Sequence, residues 1–376
     1  MVNFRTNLNI VSGYKKIYEL KSLIKQLGFK CPLLIVDNNL KFKNKYLSKF
    51  IILNKFSYIE TYDYLFEPSY EYLNIKLKEY KKKNYCKKID IVIGIGGGST
   101  IDFAKGIALL FKNFGKKPIS LKGFPNKYNA PIPIVAIPST CGTGSEVVFN
   151  ASFIHEKTKT KLGINVIENY PLLSILDPYL IKNSPKKVMY SSLSDTLVHI
   201  VEGYISTKST KISKHFSKLA FDLFQENVFK VINGKAKFEN LLNLQWASSY
   251  AMIGMSNSSH GISGALSYYL GTHYGVNHGI AGGFFLRKIC QINHQKGNFN
   301  LGTISSKKTG SKKNKSKEIL GFVEKVINTF LKEYKFENLE SNLKKDTNFK
   351  KYITEINSAF SLNPVKISYK NILEKL

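Results

Sequence analysis

The sequence predicts an α/β N-terminal part built on a parallel sheet, followed by an all-helical C-terminal part. Three observations carry this expectation. Short β-branched runs alternate with helical periods as far as about residue 180, the pattern of strands wrapped by helices. One of these runs, 89–95, leads straight into Gly96-Gly97-Gly98-Ser99-Thr100. After Pro185 the alternation stops and amphipathic helical periods take over.

The elements follow in order. Lysines alternate with Ile17, Leu20, Leu23, Ile24 and Leu27 across 14–29, a helical period. Pro32 precedes Leu33-Leu34-Ile35-Val36, a short buried strand ending at Asp37. A helix is expected from about 38 to 50, and Ile51-Ile52-Leu53 reads as a second strand. Residues 68–84 read as a basic helix and 89–95 as a third strand. A further strand at 131–136 runs into Ile137-Pro138-Ser139-Thr140-Cys141-Gly142-Thr143-Gly144-Ser145-Glu146. Helices are expected at about 186–206, 210–232, 238–256 and 259–271. The stretch 304–317 reads as a solvated loop, and the tail from Ile319 as helical. At 376 residues the chain exceeds what one hydrophobic core usually serves. The change of character near 180–184 therefore divides it into domains 1–182 and 183–376.

Composition excludes several classes. A hydrophobic content of 43% supports a sizeable core and argues against disorder. There is no run of 18 or more apolar residues, so no membrane-spanning helix is expected. Residues 1–20 lack the pattern of a signal peptide. Cys31, Cys86, Cys141 and Cys290 have no CxxC spacing, which suits reduced thiols and a cytoplasmic location. The net charge of +30 admits a phosphate-bearing partner such as nucleic acid. However, the lysines are dispersed, and arginine, preferred for base contacts, occurs only at Arg5 and Arg287. A compositional bias toward Lys, Asn and Ile is the simpler account, and it remains compatible with a small anionic substrate.

Two stretches carry chemistry. Three glycines between a strand and a helix let a backbone approach a ligand closely. The free N–H groups of the following helix then suit a pyrophosphate. The same glycines also suit a plain tight turn with Ser99 as helix cap, and GxGxxG is absent. Asp37, at a strand end, suits ribose hydroxyls and would repel the extra phosphate of NADP, or it is simply a turn residue. Ser139, Thr140 and Thr143 supply neutral hydrogen-bonding groups near the glycines.

The second stretch is Ser194-Asp195-Thr196-Leu197-Val198-His199. A carboxylate and an imidazole four residues apart share one face of a helix. That pair suits Fe(II), Zn or Mn, with His278 the best further donor. The bland reading is a solvated stripe of Asp195, His199, Glu202 and Ser206 opposite an apolar stripe of Leu193, Leu197, Ile200, Val201 and Tyr204.

These motifs, taken in order over about residues 1–290, resemble the iron-containing (group III) alcohol dehydrogenases of the dehydroquinate-synthase-like superfamily. The matching stretches are Gly96 to Lys105, Ile137 to Glu146, Lys161-Leu162-Gly163-Ile164, Leu176-Asp177-Pro178, Asp195 to His199 with Glu202, Tyr204 and Ser206, and His278-Gly279. The resemblance implies a Rossmann-like N-terminal domain and a helical C-terminal domain with a site in the cleft between them. It implies that Gly96, Gly97, Gly98, Ser99 and Asp102 help hold NAD, with Ser139, Thr140 and Thr143 lining its pocket and Asp37 favouring NAD over NADP. It implies that Asp195, His199 and His278 ligate Fe(II), with Zn in some members, and that the substrate is a small alcohol or aldehyde. Homodimers or larger assemblies occur among such proteins. Lys161 and Tyr268 are the candidate catalytic side chains, Tyr268 as a phenol that relays a proton.

One departure stands out. The family's remaining ligand position, fourteen residues before His278, is Gly264 here, and its second histidine is Tyr268. Glycine offers no side-chain ligand. His260 lies one turn upstream and reaches the ion only if the helix breaks at Gly261 or Gly264; His273 is a weaker candidate. Three outcomes stay open: three protein ligands plus water, His260 as the fourth donor, or loss of the metal, leaving an NAD-binding homologue without dehydrogenase activity. A same-fold enzyme acting on a phosphonate or sugar-phosphate carbonyl is the alternative activity.

Overall fold

The computed structural model describes residues 4–7, 9–64, 67–306, 310–334, 336 and 338–376. By backbone contacts the chain divides into two compact units. One comprises Thr6–Ser184 and Ala236–Gln245, the other Pro185–Lys235 and Trp246–Leu376 with the N-terminus through Arg5.

The first unit is built on β1 (Ile10–Ser12), β2 (Pro32–Asp37), β3 (Tyr58–Tyr62), β4 (Ile91–Gly96) and β5 (Ile134–Pro138). Four two-residue strands, β6 (Asn150–Ala151), β7 (Ile154–His155), β8 (Thr160–Lys161) and β9 (Ile164–Asn165), precede β10 (Leu173–Leu176). β6 pairs with β9 and β7 with β8, both antiparallel. The main sheet has six strands in the order β1-β10-β5-β4-β2-β3, all parallel. Its helices include α1 (Leu20–Gln26), α2 (Asn38–Lys43), α3 (Lys45–Asn54), α4 (Tyr70–Lys82), α5 (Tyr85–Lys88) and α6 (Gly98–Lys112).

Period-two alternation explains the layers. Leu33, Ile35 and Val92 join the core under α4 and α6, whereas Leu34, Val36, Ile91, Ile93 and Ile95 join the opposite core against α1 and α3. Every residue of β4 is buried, as expected of an inner parallel strand covered on both faces.

Two local expectations are corrected. Residues 51–53 are not a strand but the last turn of α3, and the neighbouring strand forms at Tyr58–Tyr62. Leu47, Phe50 and Ile51 are buried while Ile52 and Leu53 are 72% and 60% exposed, a helical face rather than an alternation. Lys55, at φ 47°, ends that helix. The supposed loop 304–317 is cut short because Ser311 accepts a hydrogen bond from Asn314 N and starts a helix at Lys312. The part of that loop at 307–309 lies outside the described residues.

The second unit is helical. It contains α7 (Lys186–Ile205), α8 (Lys211–Ile232), most of α9 (Phe238–Ser256), α10 (Ile262–Tyr274), α11 (His278–Gln295) and α12 (Lys312–Leu331). Four shorter helices complete the tail between Leu339 and Lys375. A core of Ile262, Leu266, Leu270, Ala281, Phe285 and Ile289 joins α10 to α11. Among the described residues no helix is long and apolar enough to cross a membrane. None of the four cysteines forms a disulfide.

Candidate active site: a glycine cradle and a buried Asp-His cluster

At the C-terminal ends of β2, β4 and β5 the expected cofactor residues come together. Asp37 follows Val36, which pairs with Ile95, so the aspartate abuts Gly96; a Cβ there would stand 2.9 Å from Asp37 Cβ. Ser139 N donates to Gly96 O at 2.8 Å, which ties the loop after β5 to the loop after β4. A Cβ on Gly98 would collide with the Thr143 side chain, whereas one on Gly97 would meet only Thr140 Cγ2, at 3.6 Å. Gly97 caps α6 with no side-chain hydrogen bond. Ser99 is therefore not the cap, and the helix N-terminus is left to accept an anion. The cradle therefore fits a dinucleotide pyrophosphate: a bare backbone, a positive helix end and hydroxyls beside it.

Two of the expected cofactor carboxylates also serve the protein. Asp37 Oδ1 accepts from Leu40 N at 2.9 Å and caps α2. Asp102 accepts from Ser145 Oγ at 2.5 Å and from Ser152 N at 2.9 Å, fastening the loop that carries Thr140 and Thr143. Burial raises the Asp102 pKa, opposed by the nearby Lys105 ammonium and these hydrogen bonds. Lys105, fully buried, donates to Ser145 O, Val148 O and Asn150 O at 2.7, 2.7 and 3.0 Å. Burial lowers its pKa to about 8. Lys161 pairs with Glu67 at 2.7 Å, an engagement absent from its expected catalytic role. A cavity of about 420 Å³ in this unit is walled by residues such as Tyr70, Lys78, Lys81, Phe114, Lys117 and His155, none of them an expected site residue.

In the helical unit the polar stripe of α7 is not a solvated face. Asp195, His199, Glu202 and Ser206 are 6%, 4%, 3% and 5% exposed. Buried polar side chains require partners, and the structure supplies them. Asp195 Oδ1 lies 3.3 Å from His199 Nε2 and 3.9 Å from His278 Nε2. His278 is brought there by the close packing of α11 on α7. A Cβ on Gly279 would overlap Ser191 O and stand 2.9 Å from Asp195 Cβ; one on Gly282 would stand 3.1 Å from Val198 Cγ2. Ser194 Oγ donates to Gly279 O at 2.7 Å, and Ser191 Oγ donates to Asn277 Oδ1. Asn277 in turn caps α11 through Gly279 N.

The ground around Gly264 is reorganised. α10 begins at Ile262 with Gly261 as cap, and Ser259 has φ 74°. The helix therefore does not run through His260 but breaks at Gly261. The His260 and His199 rings lie 6.4 Å apart, edge to face. A Cβ on Gly264 would stand 3.7 Å from His260 Nδ1 and 3.2 Å from Glu202 Oε2, so these two groups border the place a side chain at 264 would fill. Glu202 accepts from Gly261 N at 3.0 Å and Ser263 N at 2.5 Å, closing the N-terminus of α10. Burial raises its pKa, and the hydrogen bonds from Ser263, Gly261 and Gly264 oppose that rise. Tyr268 stacks on His278, centroids 5.0 Å apart and rings 16° from parallel. Ser267, which sequence reasoning did not single out, lies 2.9 Å from His278 Nδ1. Its position three residues after Gly264 was the signal that could have found it. His273 stacks on Tyr269 instead.

The donor set suits a divalent ion, being one carboxylate and imidazoles. Two donors each about 2.1 Å from an ion in tetrahedral array stand about 3.4 Å apart, close to the Asp195–His199 separation of 3.3 Å. Among the described residues, no group of three or more His, Cys, Asp or Glu side chains stands in an arrangement that could hold a metal ion. The fit to an ion lies in the donor chemistry and in the one pair Asp195–His199, with Asp195–His278 wider at 3.9 Å.

Known proteins place the chain. Residues 7–178 match the family described as iron-containing alcohol dehydrogenase, and residues 189–374 match the C-terminal part of the Fe-containing alcohol dehydrogenase family. Alcohol dehydrogenase 4 of Schizosaccharomyces pombe is 29% identical over 291 residues, 76% of this chain and 68% of that protein. The 4-hydroxybutyrate dehydrogenase of Clostridium kluyveri is 33% identical over 239 residues, 61% of each chain. The structure of an alcohol dehydrogenase from Oenococcus oeni shares the fold, with a TM-score of 0.84 at 23% identity, covering 100% of this chain and 99% of that one. Both halves of the chain carry the family's sequence pattern and its fold, and the protein belongs to the iron-containing alcohol dehydrogenase family.

Proposed function

We propose that the protein interconverts a small alcohol and its aldehyde or ketone, using NAD(H) and a divalent metal ion, Fe(II) or Zn. One observation carries the reading: a buried aspartate with two imidazole nitrogens 3.3 and 3.9 Å from one of its oxygens. A buried carboxylate flanked by one buried and one partly exposed imidazole serves a cation well and serves packing poorly.

Each residue then has a task. The backbone at Gly96, Gly97, Gly98 and Ser99 binds the pyrophosphate at the start of α6, with Thr140 and Thr143 beside it. Asp37 takes the adenosine ribose while Oδ1 keeps α2 capped, and its charge disfavours NADP. Asp102 acts through the loop it fastens. Asp195, His199 and His278 hold the ion, and His260 supplies the donor that Gly264 lacks. An ion held there would supply Lewis acidity toward an alcohol or carbonyl oxygen, and a bound nicotinamide would supply hydride-transfer chemistry. Tyr268, stacked on His278, relays the substrate proton to solvent. Lys161 is assigned no step, since its ammonium is engaged with Glu67.

Metal analysis of the purified protein, together with NADH oxidation over neutral and anionic aldehydes, tests the reading. Stoichiometric Fe or Zn with turnover of neutral aldehydes supports it. A preference for anionic aldehydes moves the substrate class to phosphonate or sugar-phosphate carbonyls. A protein that binds NADH but neither metal nor aldehyde ends the dehydrogenase reading.

A further inference from the structure

The two nitrogens of His278 face different groups. Nε2 is turned toward Asp195 Oδ1, 3.9 Å away, and Nδ1 lies 2.9 Å from Ser267 Oγ. The Ser267 hydroxyl has one proton to donate. Its oxygen also lies 2.6 Å from the Gly264 carbonyl, which can only accept. The short contact to the carbonyl takes the proton, so toward His278 the serine oxygen is left to accept. Accepting requires a proton on Nδ1. A neutral imidazole protonated at Nδ1 carries its lone pair on Nε2.

The opposite tautomer works against the serine. It would require a proton from Ser267 Oγ toward Nδ1, 2.9 Å away. It would also leave the Gly264 carbonyl without the serine proton. Ser267 is fully buried, which shields the arrangement from competing water. Tyr268 stacked on the imidazole fixes the plane of the ring, so the lone pair is aimed as well as assigned.

We propose that Ser267 is a positioning residue that locks His278 in its Nδ1–H tautomer and so presents Nε2, beside Asp195, as the electron-pair donor to a divalent cation. The proposal rests on the metal-site reading above, with His278 a ligand. Outer partners of this kind orient a ligand histidine and raise its basicity.

The test uses metal-free full-length protein and two readouts. The first is Zn²⁺ affinity, by competition with a chromophoric chelator, for wild type, Ser267→Ala and His278→Ala. Ser267→Ala should bind about 10–100-fold more weakly, with His278→Ala weaker still. The second is the ¹⁵N spectrum of the histidine rings. His278 should show the Nδ1–H pattern in wild type and lose it in Ser267→Ala, a change that loss of packing alone would not produce. Unaltered affinity and an unaltered tautomer in Ser267→Ala, with His278→Ala impaired, would overturn the proposal and leave the metal site standing. Unimpaired binding by His278→Ala would sink the metal-site reading and the proposal with it.

Discussion

Gly279 is pressed against Asp195: a Cβ on the glycine would stand 2.9 Å from the Cβ of the aspartate. That approach lets α11 reach α7 and sets His278, the residue before the glycine, beside the carboxylate. Gly279→Ala should therefore act twice. Overpacking should cost about 1–3 kcal/mol, read as a lower thermal midpoint, and metal affinity should fall because the two helices are forced apart. A variant as stable and as metal-replete as wild type would show that the contact relaxes freely.

Asp195→Asn and His278→Ala probe the cluster itself. Each should lose more metal affinity than the roughly 10–100-fold that removal of an outer partner costs, with aldehyde reduction falling in proportion. Metal content after dialysis against a chelator is the direct measurement.

His260→Ala separates a fourth ligand from a loop histidine. If His260 serves the ion, its loss should weaken metal binding at least about tenfold while the thermal midpoint of the metal-free protein stays within about 2 °C. Equal metal affinity in both proteins would assign the residue to the turn before α10.

In the cradle, neighbouring glycines should respond differently. Gly97 has φ −70°, which any residue adopts, and little beside it but Thr140. Gly97→Val should leave stability within about 1 kcal/mol yet raise the Kd for NADH tenfold or more by filling the space before α6. Gly98→Ala should lower stability by about 1–3 kcal/mol, through its collision with Thr143. NADH fluorescence titration and thermal melts resolve the two.

Lys105 predicts a pH dependence. Its pKa falls from 10.5 to about 8 because burial disfavours the ammonium. Between those values the unfolded chain binds the proton more than the folded one, so stability rises with pH. Compared with Lys105→Met, which lacks this proton, wild type should gain up to about 3 kcal/mol between pH 8 and 10.5. Parallel unfolding curves for the two proteins across that range would contradict the assignment.

Much of this was legible in one dimension. The alternation of β-branched runs with helical periods announced the parallel sheet, and Gly96-Gly97-Gly98 announced the tight passage from β4 to α6, because both are local consequences of backbone sterics. Residues 51–53 misled for the same reason. A triplet of apolar residues fits a strand or a helix equally, and only the burial of Phe50 and Ile51 against exposed Ile52 and Leu53 shows which face meets the core.

The α7 stripe shows the limit most plainly. Sequence alone determined that Asp195 and His199 share a helical face, since that follows from 3.6 residues per turn. Whether the face meets water or protein is decided by what packs on it. The approach of α11 through Gly279 and Gly282, the closure of α10 by Glu202 and the break at Gly261 that brings His260 beside His199 all depend on contacts between residues tens of positions apart. Local periodicity cannot encode such contacts, because they form only when several helices bury their apolar faces together.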